Sequence, residues 1–275
     1  MPTRADAVPA TNVLVDDLGY EYSPATPPRR VVSLVPSLTE AIAVSAPQLL
    51  VGATDWCSHP AGLQVTRVRG TKNPDLHAIE ALQPDLVVCN QEENRELDVR
   101  RLRAADIAVW VTRIETLDQA FASLNRLFTA ALGLATPDWL PAAEAVWAEP
   151  VTGPRRRAVV PIWRDPWMVV GAGTFTGDLL SRLGFDNVFG GTSASGGPLN
   201  SKPDRYPHVE VADIIAAAPE LVILPDEPYV FTAEDGPEAF EDLPTALVRG
   251  RELTWYGPSL VNARAELLSR LGEVR

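Results

Sequence analysis

The chain has 275 residues, 46% of them apolar, and a formal charge of -12. Its pI is near 4.7 and its mean hydropathy is -0.01. That is enough chain for about two units of ~100 to 200 residues each. The acidic balance argues against nucleic acid and against an anionic membrane surface as partner, since either requires a basic patch, and no run reaches the ~18 apolar residues of a membrane span.

In chain order, the first 28 residues read as an N-terminal extension, with an entry strand or hairpin over Val13 to Tyr22 and a stiff Pro24 to Pro28 connector. The start lacks the apolar core and cleavage site of a secretory signal, which places the protein in the cytoplasm. A leader missing from this sequence would move it to the periplasm or outside the cell. An α/β lobe follows over 29–115. Val31 to Val35 reads as a buried strand stopped by Pro36, and Ser37-Leu38-Thr39-Glu40 as a capping box opening a helix. Further strands are expected at Leu50 to Ala53, Leu86 to Cys89 and Ala108 to Val111, with helices at Leu76 to Leu82 and Asn94 to Ala105.

Residues 116–150 carry apolar positions at helical spacing (Leu117, Phe121, Leu124, Phe128) with a break near Gly133 to Pro137, the pattern of a connecting helix. A second α/β lobe occupies 151–275. The basic run Arg155-Arg156-Arg157 reads as a solvated loop between lobes, Ala158 to Ile162 and Met168 to Val170 as strands, and Phe175 to Leu183 as a helix. Gly190 to Gly197 reads as a flexible insertion, and Val261 to Leu271 as the last helix.

An internal repeat ties the lobes together. LHAIEALQPDLVVCNQEEN, residues 76–94, aligns with VADIIAAAPELVILPDEPY, residues 211–229, placing Ile79 on Ile214, Pro84 on Pro219 and Glu92 on Glu227. Each copy is a helix ended before a proline, an apolar strand and an acidic loop, the unit of a parallel sheet. Ligands of such sheets sit beyond the carboxyl ends of the strands, so Glu92 and Glu227 become candidate walls of one cleft.

The segments expected after strands are Pro36 to Glu40 with Ser37, Asp55 to His59, Gln91 to Asn94, Trp163 to Trp167, Asp226 to Phe231, and Trp255 to Gly257. Six of the chain's nineteen aromatic residues fall in three of them. These are Trp163, Trp167, Tyr229, Phe231, Trp255 and Tyr256, with Trp56 in the first lobe. They can stack on a broad flat ligand, or seal the lobe's own core. Arg164, Arg205 and Lys72 suit a ligand's carboxylates, pairing with Glu92, Glu93 and Glu227, or surface ion pairs. Glu92 and Glu227 can act as general acid and base, as metal ligands or as acceptors for ligand amides. Cys57 and His59 are the one metal-ligating pair at short spacing, and one of them could also lend an axial ligand to a metal held by a macrocycle. The two cysteines, Cys57 and Cys89, are expected as reduced thiols. No nucleotide loop or assembled catalytic motif is present.

The stretches Val15 to Gly19, Arg30 to Glu40, Gly70 to Leu76 and both proline-acid-Leu-Val segments resemble the class III periplasmic binding proteins. These are helical-backbone receptors for vitamin B12, haem and ferric siderophores. The resemblance implies two Rossmann-like lobes with parallel sheets joined by a helical bridge, around a shallow cleft with small closure. Trp56 to Pro60, Glu92 to Asn94, Trp163 to Trp167, Arg205-Tyr206-Pro207, Glu227 to Tyr229 and Trp255 to Gly257 are similar to blocks of a signal-less branch of that family. An aromatic stands at Trp56 in its vitamin B12 receptors, which favours a corrinoid, whereas a second tryptophan of theirs falls on Thr71 here. The acids by which exported members dock a permease fall on His77 and Ala212, so permease docking is not expected, although Glu80 and Asp213 lie near. The expectation is a non-enzymatic protein holding a metal chelate, whether cobalamin, haem or another iron chelate. Two alternatives stand beside it: an ABC-transporter receptor for cobalamin or a ferric siderophore without its leader, and a chelatase-like or corrinoid-modifying enzyme.

Overall fold

A computed structural model describes residues 14–191 and 204–273. The chain divides into two compact units, Met1–Arg113 with Asn125–Thr136, and Ile114–Leu124 with Pro137–Arg275. The stretch 116–150 expected as a connector is therefore shared between them. Most of the glycine-rich insertion expected over 190–197 lies outside the described residues.

In the first unit β1 (Leu14–Val15) and β2 (Glu21–Tyr22) form the expected entry hairpin. Its turn is built by Asp16, whose Oδ1 accepts from the N–H groups of Leu18 and Tyr20 while Oδ2 accepts from Arg103 and from Val111 N–H. Gly19 takes the left-handed φ of +82° that closes this turn.

The main sheet comprises β3 (Val31–Ser33), β4 (Leu50–Ala53), β5 (Thr66–Arg67), β8 (Leu86–Asn90) and β9 (Val109–Thr112). Its order is β5-β4-β3-β8-β9, all parallel. A small hairpin, β6 (Arg69–Gly70) and β7 (Asn73–Pro74), follows β5. The helices are α1 (Pro36–Ser45), α2 (Leu76–Ala81) and α3 (Glu96–Ala104). Val32, Leu34, Ile79, Val87, Cys89 and Leu102 pack one face of the sheet.

Pro36 does not merely stop the strand. It is the first residue of α1, with Val35 as N-cap and no side-chain cap. The expected Ser37–Glu40 capping box therefore does not form, and Thr39 instead donates to Val35 O.

The helices α4 (Leu117–Arg126) and α5 (Trp139–Trp147) flank a π-helical turn at Leu127–Ala131 and a break where expected. In the second unit β10 (Arg156–Val159) is followed by the hairpin β11 (Pro161–Trp163) and β12 (Met168–Val169). Then come α6 (Phe175–Arg182), β13 (Phe185–Asn187), α7 (Val211–Ala216), β14 (Leu221–Pro225), β15 (Thr245–Val248), α8 (Gly250–Thr254) and α9 (Leu260–Glu273). The sheet order is β13-β10-β14-β15, again parallel.

The internal repeat is a structural one. Each copy is a six-residue helix followed by a five-residue strand buried throughout. Gln83 and Ala218, the residues before the two prolines, share a left-handed φ of 47°. Arg30 donates to the carbonyls of Leu82 and Gln83 at the end of α2, and Arg157 to those of Ala217 and Ala218 at the end of α7. Asp85 and Glu220 accept from the backbone N–H of Arg30 and Arg157 respectively. The basic run is thus not a solvated inter-lobe loop. Arg156 and Arg157 lie in β10, Arg157 caps a helix end, and Arg155 pairs with Asp186.

Candidate functional site

The loops beyond the carboxyl ends of β4 and β8 and the β6–β7 hairpin form one cluster in the first unit. Arg67 holds the first loop by donating to the carbonyls of Thr54 and Cys57, 2.8 and 2.9 Å away. Trp56 rides on that loop, 68% exposed. A Cβ on Gly70 of the hairpin would lie 2.5 Å from Asn73 Oδ1 and 3.1 Å from Trp56 Nε1, so the indole packs close to the backbone there. At the hairpin tip Lys72 Nζ donates to the backbone carbonyl of Glu92. Lys72 thus meets the loop of Glu92 through a carbonyl rather than a carboxylate.

Two asparagines set the shape of the acidic loop. Asn90 Oδ1 accepts from the N–H of Glu92 at 2.8 Å and of Glu93 at 3.2 Å. Buried Asn94 accepts from Asn90 N–H and donates to Leu34 O and Thr71 O, fastening three segments together. Burial pushes the Glu93 carboxyl above the usual glutamate range, Lys72 opposes the shift, and the charge of Glu92 adds to it.

In the second unit the segment 163–167 is the tip of an antiparallel hairpin rather than a loop after a parallel strand. The loop following β14 is clasped to it. Arg164 Nη1 is shared by Asp235 and Glu238, and Tyr229 Oη donates to the other oxygen of Asp235 at 2.7 Å. Arg164 holds the Glu238 carboxyl below its ordinary range, and the bond to Asp235 pushes the Tyr229 phenol up. Trp163 meets Tyr229 edge to face at 5.8 Å and remains 45% exposed.

Trp167 and Phe231 lie in the core, stacked at 5.9 Å, with Phe240 against Trp167 at 5.2 Å. They seal this unit rather than offer an open stacking face. Trp255 and Tyr256 are also buried, Tyr256 edge-on to Phe175, and they follow α8 rather than a strand.

Of the expected pairings, the arginines take other partners. Arg205 pairs with Glu115 at 2.7 Å, on a segment whose Arg205 and Pro207 carbonyls accept from Gly171 and Val169. Tyr206 on that segment is half-buried, its N–H held by Asp204. Glu227 packs against Gly250, where a Cβ would lie 2.2 Å from Glu227 Cγ. Its neighbour Asp226 accepts from Gly250 N–H at the start of α8. Ser37 is buried in the first turn of α1.

The two residues named for a metal lie in different surroundings. Cys57 is fully buried, its Sγ between the hydroxyls of Thr39 and Thr54 at 3.0 and 3.1 Å, and burial raises its pKa. His59 instead meets Ser58 Oγ. Among the described residues no three His, Cys, Asp or Glu side chains gather to hold an ion. Both cysteines are free thiols, as expected. Sequence reasoning missed Asp235 and Glu238 as the partners of Arg164, though the Asp235-Gly236 turn marked the place. It also missed Asn90, a polar residue ending an apolar strand.

No family model matches the chain. The vitamin B12-binding protein of Pectobacterium carotovorum subsp. carotovorum is 23% identical over 257 residues, 89% of this chain and 88% of that protein. The apo periplasmic haem-binding protein RhuT of Roseiflexus sp. RS-1 superposes with a TM-score of 0.71 at 18% identity, covering 89% of this chain and 98% of that one. Helicobacter pylori CeuE with Ni(II) bound gives 0.75 at 16% identity, covering 95% and 89%. The cytoplasmic location expected above finds no support in these relatives, and no described helix is long and apolar enough to cross a membrane. The chain thus shares the fold of these periplasmic binding proteins and is similar in sequence to a vitamin B12-binding protein along nearly its whole length.

Proposed function

We propose that the chain is a non-catalytic binding protein for a metal chelate of tetrapyrrole type, a corrinoid before a haem. The observation that carries this reading is Trp56, 68% exposed on a loop at the carboxyl end of a parallel sheet. An indole of roughly 200 Å² left so open costs about 3 kcal/mol that a flat ligand recovers by covering it, worth about a hundredfold in affinity. Relatives named for vitamin B12 and haem supply the ligand class. Glu92 and Glu93 on the adjoining loop orient the ligand; Cys57 and His59 take no part.

Titration of intrinsic tryptophan fluorescence with cyanocobalamin and with haemin tests the proposal. Saturable quenching by at least one, weakened ten- to a hundredfold in Trp56→Ala, is expected. Neither ligand quenching the fluorescence nor raising the melting temperature in excess would sink it.

Relatives that are periplasmic favour a transport receptor as the setting. Docking to a permease by the twin helices would then lack acids at their second positions, His77 and Ala212. Asp213 does not stand in freely, because its carboxylate accepts from Glu210 N–H.

A further inference from the structure

We propose that Arg67 is the positioning residue of Trp56. Its guanidinium clamps the loop after β4 into one shape before any ligand arrives, and so sets affinity through the indole rather than by contact with the ligand. This deepens the binding reading above and rests on it.

The loop leaves β4 after Ala53 and returns at β5, the edge strand of the sheet, where Arg67 is paired with Ala53 itself. From there the guanidinium reaches back across the loop. Nη1 donates to the carbonyls of Thr54 and Cys57, which bracket Trp56, and Nη2 to that of Leu63 at 3.4 Å. A planar fork with donors in fixed directions can hold three carbonyls in one arrangement; the compact ammonium of a lysine cannot. Other bonds complete the frame. Asp55 N–H donates to Arg69 O at 2.8 Å, and Ser58 N–H to Trp56 O at 2.9 Å. Below them the Cys57 thiol is fixed between the Thr39 and Thr54 hydroxyls. The main chain of Trp56 is thus tied on both sides, while its indole, one edge against Gly70, stays 68% exposed. The neighbouring cations do other work: Arg69 pairs with Asp75, and Lys72 meets the Glu92 loop. Arg67 has no ion pair among the described residues, and its hydrogen bonds all go to carbonyls of this loop. It stands exposed at the sheet's edge, so its loss loosens the loop and leaves the buried core of the unit intact.

Arg67→Ala and Arg67→Lys test this against wild type, with cyanocobalamin and haemin as ligands. Without the clamp the loop holds its binding shape for part of the time, and a competent fraction of about one tenth weakens binding about tenfold. Both variants are expected to show that loss, because lysine restores the charge but not the fork. In a Trp56→Ala background the same substitutions should change affinity no further, since a clamp that acts through the indole has nothing left to position. The free protein supplies a second readout. With fluorotryptophan incorporated, the fluorine NMR line missing from Trp56→Phe identifies Trp56; in Arg67→Ala that line should sharpen and move toward free fluorotryptophan. Wild-type affinity in Arg67→Lys overturns the clamp in favour of a charge effect. Wild-type affinity in Arg67→Ala, an unmoved Trp56 line, or additive losses in Arg67→Ala/Trp56→Ala overturn it while leaving the binding function standing. Neither ligand binding the wild-type protein overturns both.

Discussion

Replacing Asn94 by alanine should destabilise the first unit by about 3 to 4 kcal/mol. The side chain makes three hydrogen bonds, with Asn90 N–H at 2.9 Å, Leu34 O at 3.1 Å and Thr71 O at 3.0 Å, and the first two are buried. Each net bond is worth about 1 kcal/mol, and the buried N–H and carbonyl left behind add a desolvation penalty on top. For a unit of this size that lowers the melting temperature by roughly 10 °C. Asn94→Asp separates the contributions: it retains an acceptor for Asn90 N–H but turns a charged oxygen toward Leu34 O and Thr71 O, so it should be no better than alanine. Differential scanning calorimetry reads both, and ligand titration reads the consequence, since the loops of Lys72 and Glu92 lose their common anchor. A melting temperature for Asn94→Ala within about 2 °C of wild type would refute the view that this side chain fastens the loops.

Arg30→Ala and Arg157→Ala, which uncap the equivalent helices α2 and α7, should each cost about 1 kcal/mol, a modest value because both guanidinium groups are solvent-exposed. Urea unfolding in which Arg157→Ala matched wild type would refute the capping role of its guanidinium. Burial raises the Glu93 pKa, so between its ordinary value of 4.5 and the raised one the folded state holds a proton that the unfolded chain has released. Its contribution to stability is therefore complete below 4.5 and is lost as pH rises through the folded pKa. Glu93→Gln should flatten the fall of melting temperature with pH across that window; identical slopes would count against a buried carboxyl. Burial also raises both cysteine pKa values, that of Cys89 to about 12, so neither thiol should react with a disulfide reagent until the protein is unfolded. Rapid native-state labelling of either would contradict the burial.

The strands and helices that the sequence revealed were those with a period or a punctuation mark of their own. Leu50–Ala53 was readable to the residue, and Leu86–Asn90 within one, because a buried parallel strand is a short apolar run between turn residues. β5, β6 and β7 were not, since two-residue strands carry no period, and β15 was hidden behind the acidic loop that precedes it. At the candidate site, residue type marked where chemistry gathers but not which partner each residue takes. The apposition of Arg164 and Asp235 depends on how a hairpin tip and a loop some seventy positions away meet, and no spacing records that. The four buried aromatics, Trp167, Phe231, Trp255 and Tyr256, look the same in sequence as exposed Trp56, because composition is blind to which side of a loop a ring faces.

The two copies of the repeat also separate what the fold demands from what the loops add. At one constant offset they share the left-handed residue before proline, the buried isoleucine of the helix and the acid just before the strand, and an arginine from outside each copy, Arg30 or Arg157, caps the helix end. Each of these satisfies a backbone group or fills the core, so any sequence folding this unit twice meets the same demands. Agreement stops at the last residue of the strand, where Asn90 stands in one copy and Pro225 in the other. Asn90 can organise the next turn through its side chain, and Asn94 then fastens that turn to two neighbouring segments. Pro225 has no N–H to offer, and the second loop is held from outside, by Arg164 reaching from the hairpin. The aligned acids Glu92 and Glu227 consequently inherit different surroundings, one under a lysine at a hairpin tip and one packed on Gly250. A paired position in the repeat is thus no warrant for a paired role, and single substitutions Glu92→Gln and Glu227→Gln should change ligand affinity by unequal factors. Equal losses from both would mean that the repeat, and not the divergent loops, determines what each acid does.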